Sequence, residues 1–484
     1  MVERVVQWTA DVVGGQVVAG SPRARWARVA IDSRKVSGGE LFVALPGERT
    51  DGHDFVAQAA ERGAAAILVH RDLQATPADV AVIRVDDTFA SLHALTHAVR
   101  AETPKHLLGI TGSAGKTTTK ELIAAVLATR FRVAKSPGNL NNLYGFPLSL
   151  LGISENTEWM VAEMGMSTPG ELRGVSLLGR PDLAVFTNVR AVHLVNFRSV
   201  HEIAEAKSEL LTGLSPEGRV VANADDPEVM RIARRHLDAH PGTSVLTYGV
   251  LSDDADIRAT DLEVVATSAR LQDSCRVGSR FRLQAPRFGI DDSTMELGIH
   301  GLYNVENALA AIACGLQLGV ALEDIRRVLF DFRAAPMRGE VHQLPSGAVL
   351  VDDSYNSNPD AAERALESAR GLEATRHIAF LGDMLELGPD EAGFHAQVGR
   401  AAAKLGFEVV AVGPLSAHLE SAAAEAGAET VHFDDAAGCA AWIADPERLG
   451  LGTGDVVLVK ASRGVGLDLV VSTLLGEPVH GEGA

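Results

Sequence analysis

Short apolar runs alternate with amphipathic stretches along almost the whole chain. The first block carries RVAIDSRKV, GELFVALPG, AAAILV and VAVIRVDD, shows helical spacing over Phe55–Arg62, and closes near Pro104 in HALTHAVRAETPKH. A second block opens with HLLGIT (106–111) and repeats strand then helix through WMVAEMG, DLAVFTNV and RVVANADD. Between about residues 244 and 300 polar and apolar positions alternate, in TDLEVVATSA, SRFRLQAP and MELGIHG. That period of two predicts a β-rich insertion. A third block, from about Ala334, holds AVLVDDS, HIAFLGDM, EVVAVGP, TVHFDD and DVVLVKAS with helices between. Strand–helix alternation of this kind marks an α/β protein. The expected architecture is three domains, residues 1–103, 104–333 and 334–484, the last a small parallel sheet of Rossmann type. A length of 484 residues agrees, at roughly 150 residues per domain.

Composition narrows the function without naming it. Hydrophobic residues are 46% and charged residues 22%, a globular mixture and not that of a disordered chain. Lysine plus arginine number 44 against 63 acidic residues, a net charge of −19. A nucleic-acid partner is not expected, because holding a polyanion needs a basic face. Cys275, Cys314 and Cys439 are too widely spaced for a metal knuckle or a disulfide framework, which suits a reducing compartment. Glu3, Arg4 and Asp11 interrupt the apolar stretch that a signal peptide needs. No run approaches the roughly 20 apolar residues of a membrane span. A cytoplasmic protein is expected, and with no long hydrophobic heptad, a monomer.

The sharpest chemistry lies in GITGSAGKTTTKELIAAVL (109–127). An apolar strand runs into Gly112, Ser113, Ala114, Gly115, Lys116, Thr117 and Thr118, then into a helix with Leu122, Ile123, Val126 and Leu127 on one face. Glycines let backbone N–H groups turn inward around phosphate oxygens, a lysine neutralises charge, and the Thr117 hydroxyl suits Mg²⁺. Ile110 stands where the longest form of this motif has glycine, so the match is to a shorter T-G-x-x-G-K-T form. An ATP site is expected. Glu163, Thr187, Asn188 and, shortly after, His193 follow the ends of neighbouring strands, where open α/β sheets bind ligands. A carboxylate and an imidazole there suit a divalent cation beside Thr117. Lys207 falls within the apolar stripe Ile203, Ala206, Leu210, Leu211 and Leu214 of a helix opened by Ser199 and Glu202. A buried ammonium is costly unless paired or chemically changed; the alternative is a snorkelling stem.

These residues, with IDSRKVSGGELFVALPGERTDGH, GNLNNLYGFPLSLL, AEMGMSTPGEL, GLYNVENALAA, APMRGE, DDSYNSNP, LGDMLELG and VKASRG, resemble the Mur ligases of peptidoglycan synthesis over nearly the whole chain. Gly382-Asp383-Met384-Leu385-Glu386 stands where the branch adding the third amino acid usually has Asp-Asn-Pro-Arg. Together with DDSYNSNP this is most similar to the branch that adds D-alanyl-D-alanine to UDP-N-acetylmuramoyl-tripeptide. The resemblance implies a small N-terminal UDP-binding domain, a central ATPase-like sheet and a C-terminal Rossmann-like domain. It also implies ATP-driven amide formation through an acyl phosphate, with Mg²⁺. Carried over by position, Gly112 through Thr118 cradle the phosphates, and Thr117, Glu163 and His193 serve Mg²⁺. Lys207 becomes a carbamate that ligates the metal, Asn304 and Asn307 meet the adenine end, Arg338 reaches the γ-phosphate and Asp353 the ribose. Ser33, Arg34, Arg49 and Thr50 hold the UDP moiety; Asn141 and Asn142 face the substrate near the reaction centre. Tyr355, Asn356, Asn358 and Lys460 line the third domain's side of the cleft.

Two positions depart from the family pattern: Val195, where glutamate is usual, and Ala461, where glycine is usual. The second is expected to narrow the backbone approach beside Lys460. Two other functions remain compatible with the residues: another ligase of the superfamily, extending folate or adding diaminopimelate or lysine, and a nucleotide-switch binding protein.

Overall fold

A computed structural model describes residues 3–477 except 48–49, 74, 76, 78, 103–104, 139, 193, 268–275 and 302. The chain forms two compact units. One comprises Met1–Thr111, Arg130–Val185 and Ala206–Arg219; the other comprises Gly112–Thr129, Phe186–Glu205 and Val220–Ala484.

The first unit holds a five-stranded sheet in the order Gln16–Ala19, Ala81–Arg84, Ala66–Val69, Glu40–Val43, Arg28–Ala30. Its neighbours are parallel except at the Gln16–Ala19 edge. Alternate residues serve opposite faces: Leu41, Leu68 and Ile83 pack with Leu92 and Leu95, whereas Phe42, Ile67 and Val82 pack with Val56 and Ala59. Burial on both faces explains the apolar runs of the three inner strands, LFV, AILV and AVI. The same unit carries the parallel strands Val133–Lys135, Trp159–Glu163 and His106–Thr111, with Glu163 opposite Ile110.

In the second unit, Ser244–Gly249, Ile257–Thr267, Arg276–Ala285 and Ile290–Leu297 pair in chain order, antiparallel after the first contact. This is the β-rich insertion that the period of two predicts. A six-stranded sheet follows in the order Glu340–Gln343, Val349–Asp352, Asp455–Lys460, Arg376–Gly382, Glu408–Val412, Thr430–Phe433. Five strands are parallel, as expected of a Rossmann-like domain. Glu340–Gln343 is antiparallel and has no counterpart in the sequence reading, being short and only half-buried. Ile378 and Phe380 pack against the helix Asp468–Leu475, and Ala379 and Leu381 against Pro359–Arg370 and Glu391–Lys404.

The helix carrying Lys207 is shorter than expected: α-helix covers Val200–Ser208, then a 3₁₀ turn covers Glu209–Gly213. The Glu202 N–H donates to Ser199 Oγ (3.2 Å), but the Glu202 carboxylate accepts from the N–H of Arg198, so the capping box is displaced by one residue. Among the described residues no helix is long and apolar enough to cross a membrane. Cys314 and Cys439 are buried free thiols, with Cys439 pushed up to about 12 by burial; Cys275 lies outside the described residues.

Candidate active site

Strand His106–Thr111 runs into a loop that ends at Gly115, the uncapped N-terminus of helix Lys116–Leu127. Gly112 and Gly115 both have positive φ, 157° and 78°. A Cβ on Gly112 would lie 1.8 Å from Thr187 Oγ1, so only glycine lets this loop close on its neighbour. The turn after strand Leu183–Phe186 organises the loop. Asn188 accepts the Ser113 N–H at its carbonyl and the Ala114 N–H at its side chain, both 2.9 Å. The Thr187 hydroxyl donates to the Ala114 carbonyl (2.7 Å). Asn223 donates to the Thr187 carbonyl, and buried Asp226 accepts from the Val189 N–H and from Arg190. Two loop N–H groups are thereby used inside the protein. The anion-facing end of the loop is the first helical turn, whose N–H groups have no carbonyl one turn back. Lys116 Nζ donates to the Gly112 carbonyl (2.8 Å).

Asn304 and Asn307 lie on one face of helix Tyr303–Gln317, as their spacing predicts. Their amides form a relay: Asn304 donates to the His300 carbonyl (2.6 Å), and Asn307 donates to Asn304 (3.0 Å) and accepts from Thr119 (3.0 Å). Asn307 Oδ1 also sits 2.4 Å from where a Gly115 Cβ would be. The pair braces the phosphate loop from behind. His300 bonds Ser368 (2.8 Å), and burial lowers its pKa to about 4.

The third-domain residues meet this loop within the same compact unit. Arg338 follows Met337, a non-glycine residue at φ 63°. Its guanidinium donates to Thr117 Oγ1 (3.3 Å) and lies 3.8 Å over the Tyr355 ring. Lys460, 2% exposed, donates to Asp353 (2.6 Å) and to the Asn356 carbonyl (2.9 Å). Asn358 caps helix Pro359–Arg370 by accepting from the Ala361 N–H. Ala461 is buried with its Cβ over Gly382, where a Cβ on the glycine would approach to 2.7 Å. The narrowing expected at Ala461 therefore falls on Gly382. Arg338, Asp353, Asn356, Asn358 and Lys460 line one open cleft with Ser113, Gly115 and Thr118 of the phosphate loop. Glu306, Asp360 and Arg364 also line it and have no counterpart in the sequence reading. Arg364 bridges Glu306 (3.1 Å) and Asp360 (3.3 Å), and Arg190 bridges Asp360 and Asp226. Burial pushes the Glu306 carboxyl upward against the pull of Arg364.

In the first unit Glu163 is buried and accepts from Asn141 Nδ2 (2.9 Å). Gly165 permits that approach, since a Cβ there would lie 2.9 Å from the Asn141 side chain. Asn142 caps the turn into helix Gly145–Leu151. Lys207 is buried, 3% exposed, on the side of its helix that also buries Ala206. Ser33 is buried and donates to Gln58 (2.5 Å), Arg34 grips Asp32, and Thr50 is exposed. Close by in sequence, buried His53 accepts the His70 N–H at Nε2 and meets Asp51 at Nδ1 (2.6 Å). Its proton must sit on Nδ1, and burial lowers its pKa. Arg49 and His193 lie outside the described residues.

Comparison with known proteins identifies the class. Residues 26–139 match the Mur ligase family catalytic domain, 110–315 the Mur ligase middle domain, and 337–463 the Mur ligase glutamate ligase domain. The chain belongs to the Mur ligase family, and it is an ATP-dependent ligase. It is similar to the UDP-N-acetylmuramoyl-tripeptide–D-alanyl-D-alanine ligase of Bacillus subtilis, at 35% identity over 99% of this chain and 100% of that one. Its fold is similar to crystal structure I of MurF from Acinetobacter baumannii, with TM-score 0.85, 28% identity, and 99% and 100% of the two chains covered. It is also similar to MurF ligase from Thermotoga maritima in complex with ADP, with TM-score 0.78, 27% identity, and 93% and 97% covered.

Proposed function

We propose that the chain joins D-alanyl-D-alanine to UDP-N-acetylmuramoyl-tripeptide at the expense of ATP, in the cytoplasmic stage of peptidoglycan synthesis, acting as a monomer. The observation that carries this reading is full-length similarity to ligases of that name together with a phosphate loop opening onto a polar cleft. The N-terminal domain (1–103) takes the UDP moiety, the central domain (104–333) takes ATP, and the third (334–484) completes the cleft.

Chemically, the terminal carboxylate of the tripeptide attacks the γ-phosphorus, giving an acyl phosphate and ADP. The dipeptide amine then attacks the acyl carbon, and a tetrahedral intermediate collapses to amide and phosphate. The helix N-terminus at Gly115–Thr118 and Lys116 hold the phosphates. Arg338 meets charge that develops on the transferred group, held ready by Tyr355. Asn304 and Asn307 keep the loop in shape at the adenine end. Asp353 faces the ribose with Lys460 fixing its orientation, and Asn356 and Asn358 line the same rim. Ser33, Arg34, Arg49 and Thr50 hold the uridine diphosphate, and Asn141 and Asn142 face the nucleotide substrate. Thr117, Glu163, His193 and Lys207 suit Mg²⁺ by the chemistry of their donors, provided that Lys207 is a carbamate; the burial of this lysine supports that modification. Mg²⁺ supplies charge neutralisation between the phosphates and the attacking carboxylate. ¹³C NMR after labelled bicarbonate tests the carbamate, and Lys207→Arg should remove its signal.

ADP release tests the function. It should require both UDP-N-acetylmuramoyl-tripeptide and D-alanyl-D-alanine; turnover with folate and glutamate, or with neither substrate, would contradict it.

A further inference from the structure

The antiparallel hairpin that opens the third domain places Glu340 opposite Asp352 and His342 opposite Leu350. Residues two apart on a strand share a face, so Glu340, His342 and Asp352 project together. One donor atom from each lies within 4.8 Å of the other two, and His342 Nε2 is 3.5 Å from Glu340. Two donors on one Zn²⁺ stand roughly 3–4 Å apart, given bond lengths of about 2.0–2.2 Å, so small side-chain movements suffice. Asp352 is 4% exposed, and its Oδ1 accepts from the N–H and the hydroxyl of Ser354. Among the described residues neither Glu340 nor Asp352 has a lysine or arginine within ion-pair distance. Two carboxylates thus share a half-buried face with one neutral-capable imidazole and no fixed cation.

We propose that Glu340, His342 and Asp352 form a binding site for a borderline divalent metal ion, of which Zn²⁺ is the best match. One imidazole nitrogen with two carboxylate oxygens suits Zn²⁺, whereas Mg²⁺ prefers oxygen alone in an octahedron. Three protein donors leave a fourth position for water. The site is separate from the nucleotide cleft. Asp353, the next residue, turns to Lys460, while Asp352 turns to the hairpin. Its effect would be mechanical: the Gly339 N–H donates to the Asp352 carbonyl (2.8 Å), so an ion here clamps together the two strands that Arg338 precedes and Asp353 follows.

Calorimetric titration of the full chain with ZnCl₂ tests this, after chelator treatment and in excess MgCl₂ to fill sites for hard ions. The wild type should bind one more equivalent of Zn²⁺ than either His342→Gln or Glu340→Gln, or bind that equivalent at least about 10–100-fold more tightly. Both substitutions fall on partly exposed side chains, so melting temperatures without zinc should match the wild type. Equal zinc binding by all three proteins, or none by the wild type, would overturn the proposal.

Discussion

After strand His106–Thr111 the chain passes through two glycines into a helix whose N-terminus has no side-chain cap. At the end of strand Asp455–Lys460 the last side chain is instead buried and already paired, with Asp353, 107 residues earlier. Both places end parallel strands and both line the cleft, yet they treat charge oppositely. The loop keeps positive potential for an incoming anion; Asn188 and Thr187 hold its backbone in that shape, and Asn307 packs behind Gly115. The Asp353–Lys460 corner has neutralised itself before any ligand arrives. The loop is therefore a place of chemistry, and the corner a pre-set frame that orients one carboxylate.

If that contrast is right, Lys116→Ala should lower kcat by at least about 10²–10³-fold, the usual cost of losing a contact to developing charge. Its stability, followed by urea unfolding, should shift by less than about 1 kcal/mol. Lys460→Met should behave the other way. An unpaired Asp353 should destabilise the chain by on the order of 3 kcal/mol, and a loss under about 1 kcal/mol would show that the corner is not pre-built.

The brace behind the loop gives a pH signature. The unfolded chain protonates His300 near 6.5, whereas the folded chain resists to about 4. Stability from this residue is complete above about 6.5 and is lost as pH falls toward 4. Between pH 7 and 5 the loss should be about 2 kcal/mol, and His300→Gln should remove that part of the slope. The smallest effect belongs to the cap: Asn358→Ala should cost about 1 kcal/mol, read from the same urea curves.

Much of this was legible in the chain. Apolar runs marked the parallel strands because both faces are buried, and Gly112, Gly115 and Lys116 announced a phosphate loop through spacing within seven residues. Strand Glu340–Gln343 escaped because it is short and half-buried. The second role of Asn304 and Asn307 escaped for another reason: their spacing shows a shared face, but not that Thr119, 188 residues before Asn307, would occupy it. The Arg190–Asp360–Arg364–Glu306 bridges likewise join distant segments, and no local pattern encodes them. Long-range pairing becomes visible only when the strands are placed.

Amide formation through an acyl phosphate leaves a mark in the fate of one oxygen atom. UDP-N-acetylmuramoyl-tripeptide carrying ¹⁸O in its terminal carboxylate would be incubated with ATP, Mg²⁺ and D-alanyl-D-alanine. One ¹⁸O should appear in the released phosphate, in step with the mass of the pentapeptide product. Product formed with unlabelled phosphate, or phosphate released without product, would contradict it.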